Sequence, residues 1–162
     1  MAIERFEFQL FADYHQFWLR DENAEIDPFS DLWNGTSIDD MLFVTPGMIH
    51  VGTARQLTVP VTVEIHDSEP NYDFGDWDHI AECSINIQSG KLVVMGCGDY
   101  LPGATRIPVS PDNHRARIYY GGLGTLNWNQ LEGDDHYKVV LWKGEPVEPI
   151  VLQRKPKEYF FG

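Results

Sequence analysis

Alternation of apolar and polar residues dominates this chain and predicts β-strands. The clearest segment is residues 57–65, in which every second residue is apolar and the residues between are polar or proline. A period of two places one face of a strand in a core and the other in water. Pro60 lies on the polar face and cannot donate to a ladder, so we expect an edge strand or a bulge there.

The next two apolar segments predict a hairpin. Apolar residues alternate over residues 81–87 and return over residues 92–95, with Ser89-Gly90 between them. Glycine tolerates the positive φ of a tight turn, so we predict that these two strands pair. A loop of two residues and a loop of three both keep apolar residues paired, and the longer loop would bring Cys83 opposite Cys97.

Further strands are predicted along the rest of the chain, at residues 6–10, 14–19, 48–53, 105–109, 115–120, 136–142 and 150–152. No stretch of ten residues has a period of 3.6. Residues 27–43 have room for one helical turn, with Ser37 as its cap and Asp39-Asp40 in its first turn. Eight or nine strands without helical crossovers predict an all-β fold, a single-domain antiparallel β-sandwich, with a barrel as the second choice.

We place the sandwich domain at residues 1–145 and a tail broken by prolines at residues 146–162, packed on the domain or trailing from it. The tail carries the chain's basic patch, Arg154-Lys155-Pro156-Lys157. We expect this patch to neutralise acidic surface of the same domain.

Composition and charge narrow the function. The chain has 162 residues, 43% hydrophobic and 13% aromatic, which excludes disorder and coiled coils. No apolar run is long enough for a membrane span, no signal peptide is recognisable, and there are only two cysteines, so we expect a cytoplasmic protein with reduced thiols. Twelve basic against 25 acidic residues give a net charge of −13, which repels nucleic acid and suits a basic partner or a cation.

The most unusual segment is the acidic and aromatic stretch of residues 67–79. Its carboxylates and rings are Asp67, Glu69, Tyr72, Asp73, Phe74, Asp76, Trp77, Asp78 and His79. Hairpin loops usually have two to five residues, so this length suggests function. Three interpretations stay open: a recognition loop for a basic partner, a cation site without EF-hand spacing, and a solvated loop whose Trp77 and Phe74 cover the sheet.

A second acidic segment follows the glycine-rich residues 121–124. It contains Trp128, Glu132, Asp134, Asp135 and His136. A phosphate cradle is excluded because no Gly-Lys-Ser/Thr follows and the flank is anionic. Asp135-His136 is either an acid–base pair or part of a charged loop tip, and adjacent strand residues point to opposite faces, which favours the loop tip.

Motifs for catalysis are absent from the sequence. Cys83 is predicted to be a core residue, and Cys97, between two glycines, has no basic neighbour to stabilise a thiolate. There is no nucleophile elbow, zincin helix or Cys-x-x-Cys pair. We therefore predict a protein that is not an enzyme, with no catalytic residue, no metal and no cofactor.

Two short motifs resemble a known family. The chain is similar to competence protein J, the small inhibitor of a nuclease in competent bacteria, in three features. They are Tyr14-His15-Gln16-Phe17, then Thr58-Val59-Pro60-Val61 opening a strand, and then a strand–turn–strand unit with polar ends. The resemblance implies an all-β, non-enzymatic inhibitor or immunity-type protein. The chain departs from the pattern in its two acidic segments and its tail.

These observations favour a module that binds a basic protein such as a nuclease or toxin, without direct contact to nucleic acid or membrane. The predicted binding surface is Asp73, Asp76, Trp77, Asp78, His79, Trp128, Glu132, Asp134, Asp135 and His136. One alternative is a carbohydrate or small-ligand sandwich with Trp77, Trp128 and Tyr72 as a stacking platform. Another is a metal-assisted hydrolase using His79, His136 and nearby aspartates.

Overall fold

Two β-sheets packed face to face make up the structure. The computed structural model describes residues 2–25 and 33–156. The first sheet has the order β1-β5-β10-β9-β6-β11, with β1 (Ala2–Phe11), β5 (Thr58–His66), β6 (His79–Ile87), β9 (Asp112–Gly121), β10 (His136–Lys143) and β11 (Ile150–Gln153). The second has the order β3-β4-β2-β7-β8, with β2 (Gln16–Asp21), β3 (Leu42–Thr45), β4 (Met48–Gly52), β7 (Lys91–Gly96) and β8 (Thr105–Pro108).

The all-β prediction is confirmed, with differences in strand number and direction. The described residues form eleven strands where eight or nine were expected, and the sequence pattern missed β3. Every ladder in the described residues is antiparallel except β5–β10, which is parallel. No helix in these parts of the chain has the length and apolar character needed to cross a membrane.

The inward faces of the two sheets share one core. Val59, Val61 and Val63 of β5 are at most 1% exposed, as the alternation predicts. The edge or bulge expected at Pro60 is wrong, because β5 lies between β1 and β10. Pro60 pairs with Gln9 of β1, and the ladder to β10 begins one residue later. The missing N–H is tolerated because the strand has no neighbour on its second side at that point.

The predicted hairpin is wrong, because β6 and β7 belong to different sheets. β6 pairs with β9 and β11, whereas β7 pairs with β2 and β8. The Ser89-Gly90 turn itself is present, and Gly90 has a φ of +72°. The turn carries the chain from one sheet to the other, so the apolar residues of β6 and β7 meet across the core. Cys83 and Cys97 are both free thiols.

The acidic connection between β5 and β6, residues 67–78, is a crossover. β5 is parallel to β10, and β9 is antiparallel to both β10 and β6. β6 therefore runs in the same direction as β10 and β5. The chain must therefore return along the whole sheet before β6 begins. Parallel crossovers need about a dozen residues, so topology accounts for the length of this segment. We call residues 67–78 the crossover loop.

One short helix, α1 (Gly35–Asp40), precedes β3. Its cap is Asn34, not Ser37 as predicted, and Ser37 completes a capping box by accepting from the Asn34 N–H at 2.8 Å. Asp39 and Asp40 lie in the last turn, where the helix dipole disfavours carboxylates. Residues 27–32 of the predicted helical segment lie outside the described residues, as do residues 157–162 of the tail.

The basic residues of the tail offset the charge at this helix end. Arg154 binds the Asp40 carboxylate at 2.8 Å, and the Lys155 ammonium donates to the main-chain oxygen of Asp39. For Arg154, this confirms the expected neutralisation of acidic surface of the same chain, whereas the Lys155 ammonium contacts a main-chain oxygen and no carboxylate. Lys157 lies outside the described residues.

Candidate functional site

Both acidic segments reach the same end of the sandwich. Here β1 and β9 end and β2, β5, β6 and β10 begin, and we call it the loop end. Asp78 connects the segments, since its N–H donates to Tyr120 O at 2.8 Å and its carboxylate accepts from Leu123 N–H at 2.9 Å. The rings of Trp77 and His136 lie 5.2 Å apart. Residues about 40 to 60 positions apart in sequence thus form one surface.

Arg117 fastens the first half of the crossover loop to the outer face of the sheet. Its side chain has no exposed surface, and its Nε donates to Glu82 at 3.0 Å. Nη1 donates to the main-chain oxygen of Pro70 at 3.1 Å, and the Tyr72 ring lies 4.1 Å from the guanidinium carbon. This arrangement orders the loop before any partner binds, and residues 73–76 emerge from it exposed.

A second ordered segment, residues 122–135, presents Trp128; we call it the Trp128 loop. Asn127 N–H donates to Glu132 O at 2.9 Å, and the Asn127 side chain accepts from the N–H groups of Leu131 and Glu132, each at 3.2 Å. Trp128 sits at the tip with 93% of its surface exposed. Hydrogen bonds within the loop therefore hold an exposed indole in place.

At the loop end, four exposed carboxylates of these two loops have no cation partner among the described residues. They are Asp73, Asp76, Glu132 and Asp134. None of them forms an ion pair with any residue in the described ranges. The sequence explains this, because no Lys or Arg occurs between Arg55 and Lys91 or between Arg117 and Lys138. We call these four residues the acidic patch; Glu132 and Asp134 share a loop with Trp128, and Asp73 and Asp76 lie on the crossover loop.

The remaining predicted site residues are less available. Trp77 is half-buried, with its ring 5.2 Å from those of Tyr119 and His136. Trp77 therefore covers the sheet, as expected if the acidic segment is a solvated loop. Asp78 is half-buried and bound to Leu123, while His136 is exposed. His79 and Asp135 have no exposed surface, so neither side chain is offered to a partner in this conformation.

Asp135 belongs to a buried network that supports the loop end. It binds Arg55 Nε at 2.9 Å and accepts from the Tyr137 hydroxyl at 2.8 Å. The same hydroxyl accepts from Ala54 N–H at 2.8 Å. Burial, followed by the charge of Asp135, raises the pKa of Tyr137. The His136 ring instead donates to Asp134 O at 2.9 Å, so Asp135-His136 is not an acid–base pair here.

His79 is likewise a structural residue in this conformation. Its Nε2 donates to Asp40 O at 2.8 Å, and its Nδ1 accepts from Lys155 N–H at 3.1 Å. Both contacts require the neutral imidazole with its proton on Nε2. Burial is the largest cause that lowers the pKa of His79 to about 4, which keeps the ring neutral. His79 thereby connects α1 to the tail.

The features needed by the alternative functions are not brought together. No group of three or more His, Cys, Asp or Glu within residues 2–25 and 33–156 is placed to hold a metal ion. Burial, followed by the charges of Asp13 and Asp99, raises the pKa of the Cys97 thiol. Two rings of the predicted carbohydrate platform already have partners within the protein: Trp77 contacts the Tyr119 ring, and Tyr72 contacts the Arg117 guanidinium.

Sequence reasoning missed two exposed tyrosines at the loop end. Tyr14, between β1 and β2, is 74% exposed, and Tyr100, after β7, is 78% exposed. The strand pattern hid Tyr14, because a period of two through residues 14–19 assigned it to a strand face. Tyr14 lies instead in a 3₁₀ turn with a φ of +56°. Exposed rings thus occur on several connections of this end.

Comparison with known proteins gives a fold and no family. The sequence matches no family model and no curated protein. The structure is similar to ComJ from Bacillus subtilis, inhibitor of the DNA-degrading activity of NucA, with a TM-score of 0.64, 11% identity and coverage of 89% of this chain and 98% of ComJ. It is also similar to the product of crocagin biosynthetic gene J, with a TM-score of 0.61, 18% identity and coverage of 90% and 100%. The first likeness confirms the resemblance seen in the sequence, and at these identities both show a shared fold alone.

Proposed function

We propose that this chain is a non-enzymatic protein that binds a basic protein, such as a nuclease, and inhibits it by covering its cationic cleft. The observation that carries the proposal is the acidic patch: four exposed carboxylates on two loops that contact each other at the loop end, none of them in an ion pair with another described residue. The partner surface consists of these carboxylates with Trp128, His136 and the exposed edges of Trp77 and Asp78.

Electrostatics supports this type of partner. A nuclease holds the phosphate backbone with Lys and Arg, so its cleft carries positive potential. Carboxylates spaced along two loops attract such a cleft and speed association, up to roughly 10⁸–10⁹ M⁻¹s⁻¹ at low salt. Charge of this kind mainly sets the association rate and the choice of partner, so affinity needs an apolar anchor as well.

Trp128 is suited to be that anchor. Tryptophan is enriched among the few residues that supply most of the binding energy at interfaces. The hydrogen bonds around Asn127 fix its loop, which reduces the entropy lost when the loop is immobilised on binding. Truncating a central aromatic anchor typically costs 2 kcal/mol or more of binding free energy, so we expect Trp128→Ala to weaken binding by about thirty-fold.

The shared fold adds support of a different kind. ComJ inhibits the DNA-degrading activity of NucA, and its chain is covered almost completely by the similarity. A fold hosts many functions, so this likeness raises the expectation of an inhibitor and identifies no binding residue. The surface proposed here rests on the residues of this chain.

The test compares two variants that lose the same charge in different places. In the patch variant, Asp73→Asn, Asp76→Asn, Glu132→Gln and Asp134→Asn are combined. In the control variant, Glu4→Gln, Glu25→Gln, Glu145→Gln and Glu148→Gln are combined. All four are exposed and lie outside the two loops: Glu4 is near the start of β1, Glu25 follows β2, and Glu145 and Glu148 lie between β10 and β11. Each immobilised protein is used to capture basic proteins from a lysate of the source cells at low salt. The captured protein is then purified for titration and for DNA-degradation assays.

We expect the wild type and the control variant to bind the same basic protein and to suppress its activity. The patch variant should bind it at least ten-fold more weakly, and raising the salt should weaken wild-type binding in the same way. Equal binding by the patch variant and the wild type would contradict the proposal. Trp128→Ala measures the anchor separately, because it leaves the charge unchanged.

A further inference from the structure

A separate cavity of about 460 Å³ opens at the loop end. Most of its wall is apolar or aromatic, and its lining includes Tyr14, His15, Gln16, Trp33, Ile38 and Lys155. The volume is within the range of small-ligand sites, which enclose an apolar body and fix it with a few polar groups. The acidic patch contributes no residue to this wall, so the cavity is distinct from the surface proposed above.

Two polar side chains of the wall, Lys155 and Gln16, offer hydrogen-bond donors. Lys155 is only 8% exposed, and its ammonium donates to the main-chain oxygen of Asp39. It forms no ion pair within the described residues. The Gln16 side-chain oxygen accepts from the indole N–H groups of Trp18 and Trp33 at 2.8 and 3.1 Å. That orientation leaves the amide NH₂ of Gln16 without an acceptor among the described residues.

The wall is also held in an unusual backbone conformation. Tyr14 and His15 are consecutive non-glycine residues with φ values of +56° and +58°. Such conformations are unfavourable for L-residues and persist only where the surroundings impose them. Here the His15 main chain donates to Ala12 O at 3.1 Å and accepts from Thr53 N–H at 2.9 Å, and its ring donates to Thr53 O at 3.3 Å. These contacts form the cavity wall in advance of any ligand.

We propose that this cavity binds an apolar carboxylate, with the hydrophobic body among Trp33, Ile38 and Tyr14 and the carboxylate on the Lys155 ammonium and the Gln16 amide. An ammonium in an apolar wall attracts an anion because the low dielectric strengthens their interaction. A cation is disfavoured by the same ammonium. A wholly apolar ligand would leave the donors unmatched.

The probes are matched pairs that differ only in the carboxylate. The first pair is 3-phenylpropanoate and 3-phenylpropanamide, titrated by calorimetry and by the change in tryptophan fluorescence, to which Trp33 contributes. The second pair is the peptide acetyl-Gly-Gly-Phe with a free carboxylate and the same peptide with a C-terminal amide. We expect the carboxylate of at least one pair to bind about ten-fold more tightly than its amide. Tighter binding of 3-phenylpropanoate would identify the ligand as a free carboxylic acid, and tighter binding of the peptide carboxylate would identify it as the C-terminus of a chain.

Two variants test the location. Lys155→Met keeps the apolar stem and removes the charge, so it should abolish the preference for the carboxylate. Ile38→Trp, at a partly exposed position on α1, fills the cavity and should prevent binding of either carboxylate. Lys143→Met, an exposed lysine at the far end of β10, is the control and should bind as the wild type does. Equal binding of acid and amide by the wild type, or no binding of either carboxylate up to its solubility limit, would overturn the proposal.

Discussion

Single buried polar residues position the loops of this protein. His79, Arg117 and Asp135 are fully buried, and each binds main-chain or side-chain groups from a distant part of the chain. A buried polar group without its partner costs about 1–3 kcal/mol, and a buried charge costs more. Each residue therefore couples the conformation of a loop to the stability of the sandwich.

The pH dependence of stability tests this role for His79. Burial lowers its pKa from 6.5 to about 4, so between these pH values the unfolded chain binds a proton that the native ring does not. The contribution of His79 is complete above pH 6.5 and is lost as the pH falls towards 4, by about 3 kcal/mol. His50, whose pKa burial also lowers to about 4, adds a loss of the same sign.

We expect His79→Gln to reduce this acid-induced loss by about 3 kcal/mol, because glutamine does not titrate and offers both a donor and an acceptor. Urea denaturation at a series of pH values between 4 and 7.5 measures the effect. His136→Gln, which changes an exposed imidazole, serves as the control and should follow the wild type. If the free energy of unfolding of His79→Gln falls with pH as steeply as that of the wild type, the His79 ring is not the source of the acid-induced loss.

The sequence predicted individual strand faces well and buried polar residues poorly. The alternation in β5 assigned Val59, Val61 and Val63 to the core correctly because burial on one face imposes a period of two. The acidic and aromatic composition of two segments, by contrast, placed His79 and Asp135 on a binding surface, whereas both are buried. His79 binds Asp40 and Lys155, and Asp135 binds Arg55. These partners are distant in sequence, so no local sequence pattern predicts the contacts.

At the scale of elements, the turn after β6 decides the topology. Asp21 of β2 accepts from Ser89 N–H at 3.0 Å, and Val109 N–H donates to Gly90 O at 3.0 Å. The turn is thereby attached to the second sheet as the chain leaves the first. A tight turn with positive φ at Gly90 thus joins two sheets here instead of two paired strands.

Gly90→Ala should destabilise the fold. The φ of +72° is unfavourable for alanine, and its Cβ would lie 3.2 Å from Val109 O. We expect a loss of about 1–2 kcal/mol in the free energy of unfolding, measured from the denaturant midpoint. Gly98→Ala is the matched control, since its Cβ would meet only the Asp13 carboxylate, at 3.7 Å, and it should change stability by less than about 1 kcal/mol. A similar effect at both positions would contradict this account of the turn.

The positions of most strands followed from the sequence, whereas their partners did not. Alternating apolar residues specify that a segment buries one face, and they do so equally for a hairpin and for two strands facing each other across a core. β6 and β7 satisfy both arrangements, so the pattern could not separate them. The crossover loop shows the same limit, because its length reflects a parallel connection that became visible only with the strand order.

At the scale of the molecule, the acidic patch has no cation among the described residues to balance it. Arg117 and Arg55, which lie under the two loops, are already bound to Glu82 and Asp135. Repulsion among clustered carboxylates opposes folding, and sites retained for function often reduce stability. A patch kept for a cationic partner should therefore cost the free protein stability.

The patch and control variants described above test this trade-off in the absence of any partner. At low salt we expect the patch variant to be about 1 kcal/mol more stable than the wild type, because four like charges on two contacting loops are removed. The control variant loses the same charge from scattered positions and should gain less. The gain should disappear near 1 M salt, where the screening length is about 3 Å. Thermal unfolding at low and high salt measures the stability of the wild type and of both variants. Equal gains in stability by both variants would mean that the net charge of the protein opposes folding, and not the position of the charges at the loop end. Greater stability together with weaker capture of a basic protein would assign the patch to binding.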